Sequence, residues 1–361
     1  MPIPVFFLAL AVFAMGTSEF MLAGLVPEIA GALGVSLAQA GLLTSAFAVG
    51  LVVGAPLMAA VARTWRRRTA LLWFLAVFIA THVVGGLIGS FAVVLVTRLL
   101  AAAAYAGFLA VALAAAADLV PPDRTGRALA VLLGGTTVAC VVGIPGGALL
   151  SAAFGWRAAF WAVALLCVPA IAGVRRIADT ATAAKPSGLR AELAQLRRRP
   201  LAGTLLLGAL VNAATFGVFT YLAPLATGVA PVPQVLAVFG IGCFAGVTAA
   251  GRLADRWPGH VVAIGGPLLL AGWVVLALVP ATLPVLAFTQ GALSFAVGGT
   301  LIARILRLAA GAPTMAGSYA TAALNVGAAA GPVLGAVAPP VWTAAALVAT
   351  SVVLAVGLKS R

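Results

Sequence analysis

The sequence predicts an all-α membrane protein of twelve transmembrane helices in two six-helix pseudo-symmetric halves. Three observations carry that expectation. First, 64% of the 361 residues are hydrophobic and 8% are charged, against roughly 25% charged in soluble domains. A water-soluble chain has no way to cover so much apolar surface. Second, the apolar residues fall in runs of about 20, the length a helix needs to cross ~30 Å of hydrocarbon. Their Ala, Gly, Leu and Val content, without strict alternation, argues for helices over barrel strands. Third, the cations share one side. With spans alternating in direction, 19 of the 21 Lys and Arg residues fall at the termini, helix ends and loops 63–68, 118–127, 175–200, 252–260 and 304–313 of a single face. The exceptions are Arg98 and Arg157. This positive-inside pattern predicts a multi-pass protein of the inner (plasma) membrane with both termini in the cytoplasm. The net charge of +14 therefore reports topology, not a nucleic-acid partner, because it lies in short connectors between apolar runs.

Span 1 covers 5–27 and carries Glu19. It is longer than a signal-peptide core and lacks a basic leader, so it is expected to remain in the mature protein. Spans 2 and 3 cover 40–62 and 69–89, joined by a loop with Trp65 and Arg66 to Arg68. Span 4, 92–117, holds Arg98; spans 5 and 6 cover 128–153 and 158–174. The polar connector with Arg175, Arg176, Lys185, Arg190 and Arg197 to Arg199 divides the chain into an N-terminal half (1–174), a cytoplasmic linker (175–200) and a C-terminal half (201–361). That half supplies spans 201–224, 234–251, 261–279, 284–303, 314–337 and 341–358. A repeat supports the division: at a constant offset of 192, Phe47, Gly50, Gly54, Ala62 and Trp65 meet Phe239, Gly242, Gly246, Ala254 and Trp257. Interfacial aromatics and close-packing glycines also explain that pattern without a repeat.

Catalytic and cofactor chemistry finds little support. Cys140, Cys167 and Cys243 lie scattered in spans 5, 6 and 8, with no pairing or C-x-x-C spacing, so no disulfide or metal site is expected. The only lysines, Lys185 and Lys359, do not follow a G-x-x-x-x-G loop, which removes nucleotide-driven transport. No H-E-x-x-H helix and no G-x-S-x-G elbow with a plausible triad occur, so an enzyme is not expected. Transport driven by an ion gradient is left standing.

Glu19 and Arg98 are the candidate proton-coupling groups. A charge near the bilayer centre costs roughly 3 kcal/mol or more and persists where it faces water, a partner or a proton. The balance between burial and a neighbouring cation would set whether Glu19 is protonated. Arg98, a permanent cation, can polarise a nearby carboxylate, although it lies close enough to its span start to snorkel outward. His82 in span 3 reads first as a packing histidine and second as a relay. Asn212, Thr215, Gln290, Tyr319 and Asn325 are candidate polar cavity groups, with Phe20, Phe108, Phe216 and Phe295 as apolar walls.

Three motifs point further. GTTVACVVGIPGG in span 5 contains Gly135, Gly143, Pro145, Gly146 and Gly147. The glycines permit close helix approach and the proline bends the span. Span 11 carries a related run from Asn325 and Gly327 to Gly331, Pro332 and Gly335. After span 8 the loop reads Gly251-Arg-Leu-Ala-Asp255-Arg256, whereas after span 2 Arg63 stands where the equivalent acid belongs. Asp118 is the candidate partner for Arg63 or its neighbours at this cytoplasmic gate.

The span-5 pattern, the G-x-L-A-D-R loop and the TRLLAAAAYAGFLAVAL stretch around Arg98 and Gly107 resemble the antiporter, loop and arginine motifs of the major facilitator superfamily. AMGTSEFMLAGLVPEIA around Glu19 resembles its twelve-span bacterial drug:proton antiporters. GFLAVALAAAADLVP, GRALAVLLGGTTVA, LLGALVNAATF and AGAPTMAGSYATAALNVGAAAGP are similar to the actinobacterial chloramphenicol exporters. The resemblance spans almost the whole chain and implies a substrate site between halves, with efflux of chloramphenicol or a related phenicol in exchange for protons. The implied partners are a small-molecule drug, protons and the bilayer, with no cofactor and a monomeric state. The alternatives are an exporter of another small amphipathic metabolite, such as a sugar or nucleobase, and a non-transporting membrane sensor or scaffold. Loops 225–233 and 336–340 are shorter than the family leads one to expect.

Overall fold

A computed structural model describes residues 1–22, 25–177, 188–312 and 314–357. Among them the regular structure is helical. The first half contains α1 (Ile3–Met21), a short α2 (Val26–Leu33), α3 (Leu37–Ala62), α4 (Arg67–Leu87), α5 (Phe91–Asp118), α6 (Thr125–Phe154) and α7 (Trp156–Val174). The connector holds α8 (Leu189–Ala194). The second half contains α9 (Arg199–Thr220), a short α10 (Leu222–Ala226), α11 (Val232–Arg256), α12 (Pro258–Leu278), α13 (Leu283–Leu308), α14 (Ala316–Val337) and α15 (Pro340–Gly357).

Eleven of the described helices are long and apolar enough to cross a membrane. The helix over Ala316–Val337 is not among the eleven, although its 22 residues reach about 33 Å at 1.5 Å each. The side chains Val285, Leu149, Val353 and Trp73 stand more than half exposed around the bundle. Such a girdle is untenable in water and ordinary in lipid. The chain is a multi-pass membrane protein.

Local sequence explains most boundaries. Ser36 starts α3 with a capping box: its hydroxyl accepts from Gln39 N at 3.1 Å, while Gln39 Oε1 accepts from Ser36 N at 2.9 Å. Span 1, expected as one run to Pro27, instead ends at Met21, and Pro27 falls in the first turn of the separate α2, where its fixed φ and missing N–H are tolerated. Glu28 holds α2 in place, its Oε1 accepting from Trp156 N at 2.9 Å and its Oε2 from the Ser151 hydroxyl. Gly155, at φ +80°, makes the reversal between α6 and α7 that a side chain would strain.

Both halves pair their helices in the same way. In the first, α1 lies on α6, α3 on α5 and α4 on α7; in the second, α9 lies on α14, α11 on α13 and α12 on α15. The matched glycines of the repeat serve the same contact twice. A Cβ on Gly50 would stand 2.7 Å from the Leu99 carbonyl of α5, and a Cβ on Gly54 2.5 Å from Ala103 Cα. Gly242 and Gly246 bring α11 against the carbonyls of Phe288 and Ala292 on α13. Across the boundary between halves, α6 packs on α11 and α3 on α14.

Candidate transport site

Between the two sets of helices lies a cavity with about 930 Å³ of empty space, counting the part open to solvent. Glu19 and Phe20 reach it from α1, Tyr105 from α5, and Thr136 and Cys140 from α6. From the other half come Asn212, Thr215 and Phe216 on α9, Ser294 and Phe295 on α13, and Thr321 and Asn325 on α14. Of the residues expected there, Glu19, Phe20, Asn212, Thr215, Phe216, Phe295 and Asn325 line it.

Three expected cavity residues lie elsewhere. Phe108 is fully buried in the helix core and does not line the cavity, because the cavity face of α5 runs through Tyr105, Leu109 and Leu113 at four-residue spacing. Gln290 turns toward α12, where its Nε2 donates to the Leu269 carbonyl at 2.8 Å, in space left by Gly272. Tyr319 points to the linker, its hydroxyl donating to the Glu192 carbonyl at 2.9 Å.

Arg98 does not snorkel. It is 1% exposed, sits over the Phe47 ring at 4.2 Å, and donates from Nη1 to Ser18 Oγ at 2.5 Å and from Nη2 to the Ser18 carbonyl at 2.9 Å. The cation is thereby fixed beside the residue that precedes Glu19, with which it interacts through its charge. Close packing of α1 on α6 sets this register. A Cβ on Gly135 would meet the Ala9 carbonyl, one on Gly143 would lie 3.2 Å from Phe20 Cβ, and one on Gly147 2.8 Å from Met21 Cβ. Gly146 faces away from α1, with Val142 of its own helix nearest at 3.8 Å. The side chain of Pro145 lies outside the described residues, and α6 continues through its position as helix.

The cavity has spare hydrogen-bonding capacity. Ser294 Oγ is buried without a hydrogen-bond partner among the described residues, a costly arrangement unless a ligand or water completes it, and Thr136 of the other half has the Tyr105 hydroxyl beside it. Asn212 Nδ2 donates to the Leu324 carbonyl at 2.7 Å and Asn325 Nδ2 to the Thr321 carbonyl at 2.8 Å, which positions both amide groups. Gly298 and Gly299 line the same cavity with open space where a Cβ would go. Sequence reasoning did not single out Tyr105, Thr136, Ser294 or these glycines. Tyr105 was within reach, since it lies seven residues after Arg98, two turns along one face.

At the linker end the halves meet closely. Gly251 lies against Ala130 and the Gly126 carbonyl of α6, and Gly317 against the Ala110 carbonyl of α5. Asp118 pairs with Arg67, while Arg63 caps α3 and borders a small cleft with Trp65 and Thr314. The side chains of Asp255 and Arg256 lie outside the described residues. Glu192, unremarked in the sequence, is 1% exposed; its Oε2 accepts from Thr314 N at 3.2 Å, Thr314 Oγ1 at 2.6 Å and Met315 N at 3.1 Å. It thus supplies an acid at the N-terminal end of α14, where backbone donors are otherwise unmet.

The sequence profile of the Major Facilitator Superfamily matches residues 8–332. The chain belongs to the major facilitator superfamily. Among relatives of this superfamily member is a chloramphenicol resistance protein of Streptomyces lividans, 58% identical over 98% of this chain and 96% of the relative. The inner membrane transport protein YdhP of Escherichia coli strain K12 is 32% identical, over 92% and 87% of the two chains. The fold is also that of the E. coli fucose:proton symporter FucP, with a TM-score of 0.80 at 17% identity over 99% of this chain and 98% of that one. This superfamily member is a transport protein, not an enzyme.

Proposed function

We propose that the chain exports chloramphenicol or a related phenicol from the cytoplasm in exchange for protons, and so confers drug resistance. One observation carries the reading: an acid, Glu19, lines a cavity between the two halves of a chain that is 58% identical to a chloramphenicol resistance protein across nearly its whole length. The drug is neutral, with hydroxyls, an amide and a nitroaromatic ring. Ionised Glu19 accepts from its hydroxyls, Thr136, Ser294 and the amides of Asn212 and Asn325 complete its polar groups, and Phe20, Phe216 and Phe295 pack on the ring. Protonation of Glu19 removes the acceptor, so proton and drug exclude one another.

In this reading the protein is a monomer in the inner membrane with both termini cytoplasmic. Residues 1–174 and 201–361 form the two bodies that rock about the cavity, with 175–200 as linker, and the linker end is the cytoplasmic gate, built on Arg63, Arg67, Asp118, Gly251, Asp255 and Arg256. A susceptibility panel in an efflux-deficient host tests this. The wild-type gene should raise phenicol tolerance and Glu19→Gln should abolish the gain at equal membrane abundance. Tolerance raised toward other solutes only would make the chain an exporter of a different amphipathic metabolite, and no change at all would leave a membrane sensor or scaffold.

A further inference from the structure

A second buried polar group stands behind Arg98 and is not used by the exchange described above. His82 on α4 is 1% exposed and Ser18 on α1 is fully buried. The imidazole is held by rings on two sides, Phe78 at 4.2 Å and Phe160 of α7 at 5.7 Å between centroids. Its Nδ1 lies 2.8 Å from the Phe78 carbonyl, and its Nε2 2.6 Å from Ser18 Oγ.

The hydrogen-bond directions follow from what each atom can do. A carbonyl only accepts, so Nδ1 carries a proton and donates it to Phe78 O. Arg98 Nη1 only donates, so Ser18 Oγ accepts from it at 2.5 Å. The Ser18 hydroxyl proton then needs an acceptor, and Nε2 of a neutral His82 is the group in place to take it. Every polar atom from Arg98 Nη1 to the Phe78 carbonyl is satisfied in this single arrangement. An imidazolium in the same position would leave the Ser18 proton without an acceptor and add a second cation beside Arg98.

We propose that Ser18 and His82 form a positioning pair that fastens Arg98 to the backbone of α1 and keeps the guanidinium from closing onto Glu19. Neutral His82 draws the Ser18 proton away from Arg98, so the Ser18 hydroxyl and carbonyl oxygens both face the guanidinium. No hydrogen bond or ion pair joins Arg98 directly to Glu19 among the described residues. The Glu19 carboxylate is left to the cavity, with Tyr105 of α5 and Cys140 of α6 as the other ionisable groups beside it. Without the pair, Arg98 would turn to the carboxylate and compete with both proton and drug. His82 is a positioning residue here, and its consequence for transport rests on Glu19 carrying the proton, as proposed above.

The chain has two histidines, which makes the test direct. Histidine labelled with nitrogen-15 in the full-length protein in lipid nanodiscs, with the exposed His260→Gln to assign the second signal, should show His82 in one neutral tautomer, protonated at Nδ1. Its Nε2 resonance should move in Ser18→Ala. A proton found on Nε2, in either the neutral or the charged ring, would overturn the assignment, and so would an Nε2 resonance indifferent to Ser18→Ala. Transport then reads the consequence. His82→Leu should lower the maximal rate of proton-driven exchange about tenfold and displace its pH profile, whereas His82→Gln, which restores an acceptor toward Ser18, should recover most of the rate. Equal losses in Leu and Gln, both folded by thermal melting, would reduce His82 to packing. Should Glu19→Gln instead retain coupling, the proton role falls while the tautomer result stands by itself.

Discussion

Thr136 and Ser294 offer the cavity a hydroxyl from each half; the Ser294 oxygen lacks a hydrogen-bond partner among the described residues, and Thr136 has the Tyr105 hydroxyl beside it. A hydrogen bond to a polar drug is worth about 0.5–1.5 kcal/mol net, and a factor of ten in affinity corresponds to about 1.4 kcal/mol. Thr136→Val and Ser294→Ala should therefore each raise the KM for phenicol about three- to tenfold with the protein equally stable, as transport at varied drug concentration will read. Gly298 gives a complementary probe, because a Cβ there meets nothing within 4 Å. Gly298→Leu should keep the melting temperature and abolish drug binding by filling the cavity; loss of both would mean that the helix needs the glycine for packing. Glu19 and Arg98 were legible in the sequence because a charge inside a 20-residue apolar run has few explanations. Gln290 and Tyr319 were misplaced by the same logic: a polar residue in an apolar helix must have a partner, but which neighbour supplies it depends on helix rotation. Hydroxyls such as Ser18, Thr136 and Ser294 carry no such signal, since serine and threonine satisfy themselves on backbone carbonyls throughout the bundle, as Thr215 does on Val211.

At the scale of the helix, close approach replaces the hydrophobic effect, since lipid tails are as apolar as the side chains they would leave. The α11–α13 contact depends on Gly242 and Gly246, and any Cβ at Gly246 falls on the Ala292 carbonyl. Gly246→Val should separate these helices and cost at least about 1–3 kcal/mol, the usual penalty of overpacking; thermal melting in detergent would register it, and an unchanged melting point would show that the contact is looser than described. Helix positions were the most readable feature of the chain, because length and apolarity are written continuously along it. Breaks near the membrane surface were less so: span 1 divides at Met21 because the following segment is anchored sideways through Glu28 to the α6–α7 turn, a contact between residues 128 positions apart that no local pattern encodes. The connector likewise read as a polar linker, yet it contains α8, whose Glu192 is buried only because α14 begins where it does.

For the molecule as a whole, the proposed exchange requires that the linker end open and close about the cavity. Gly317 lies across the boundary on the Ala110 carbonyl, so Gly317→Val should hold that end apart: phenicol binding should persist while vectorial transport falls at least about tenfold. Equal loss of binding and transport would instead place Gly317 in the fold of its own half. The repeat at offset 192 anticipated this symmetry, since Gly50 and Gly242 perform one task in two halves. Substrate identity was not written in composition at all and came from likeness alone. Whether the acid in the cavity couples drug to protons can be read in proteoliposomes. An imposed proton gradient should drive chloramphenicol movement by the wild-type protein, while Glu19→Gln should bind or equilibrate the drug without responding to the gradient. Gradient-driven transport by Glu19→Gln at the wild-type rate would remove Glu19 from the coupling.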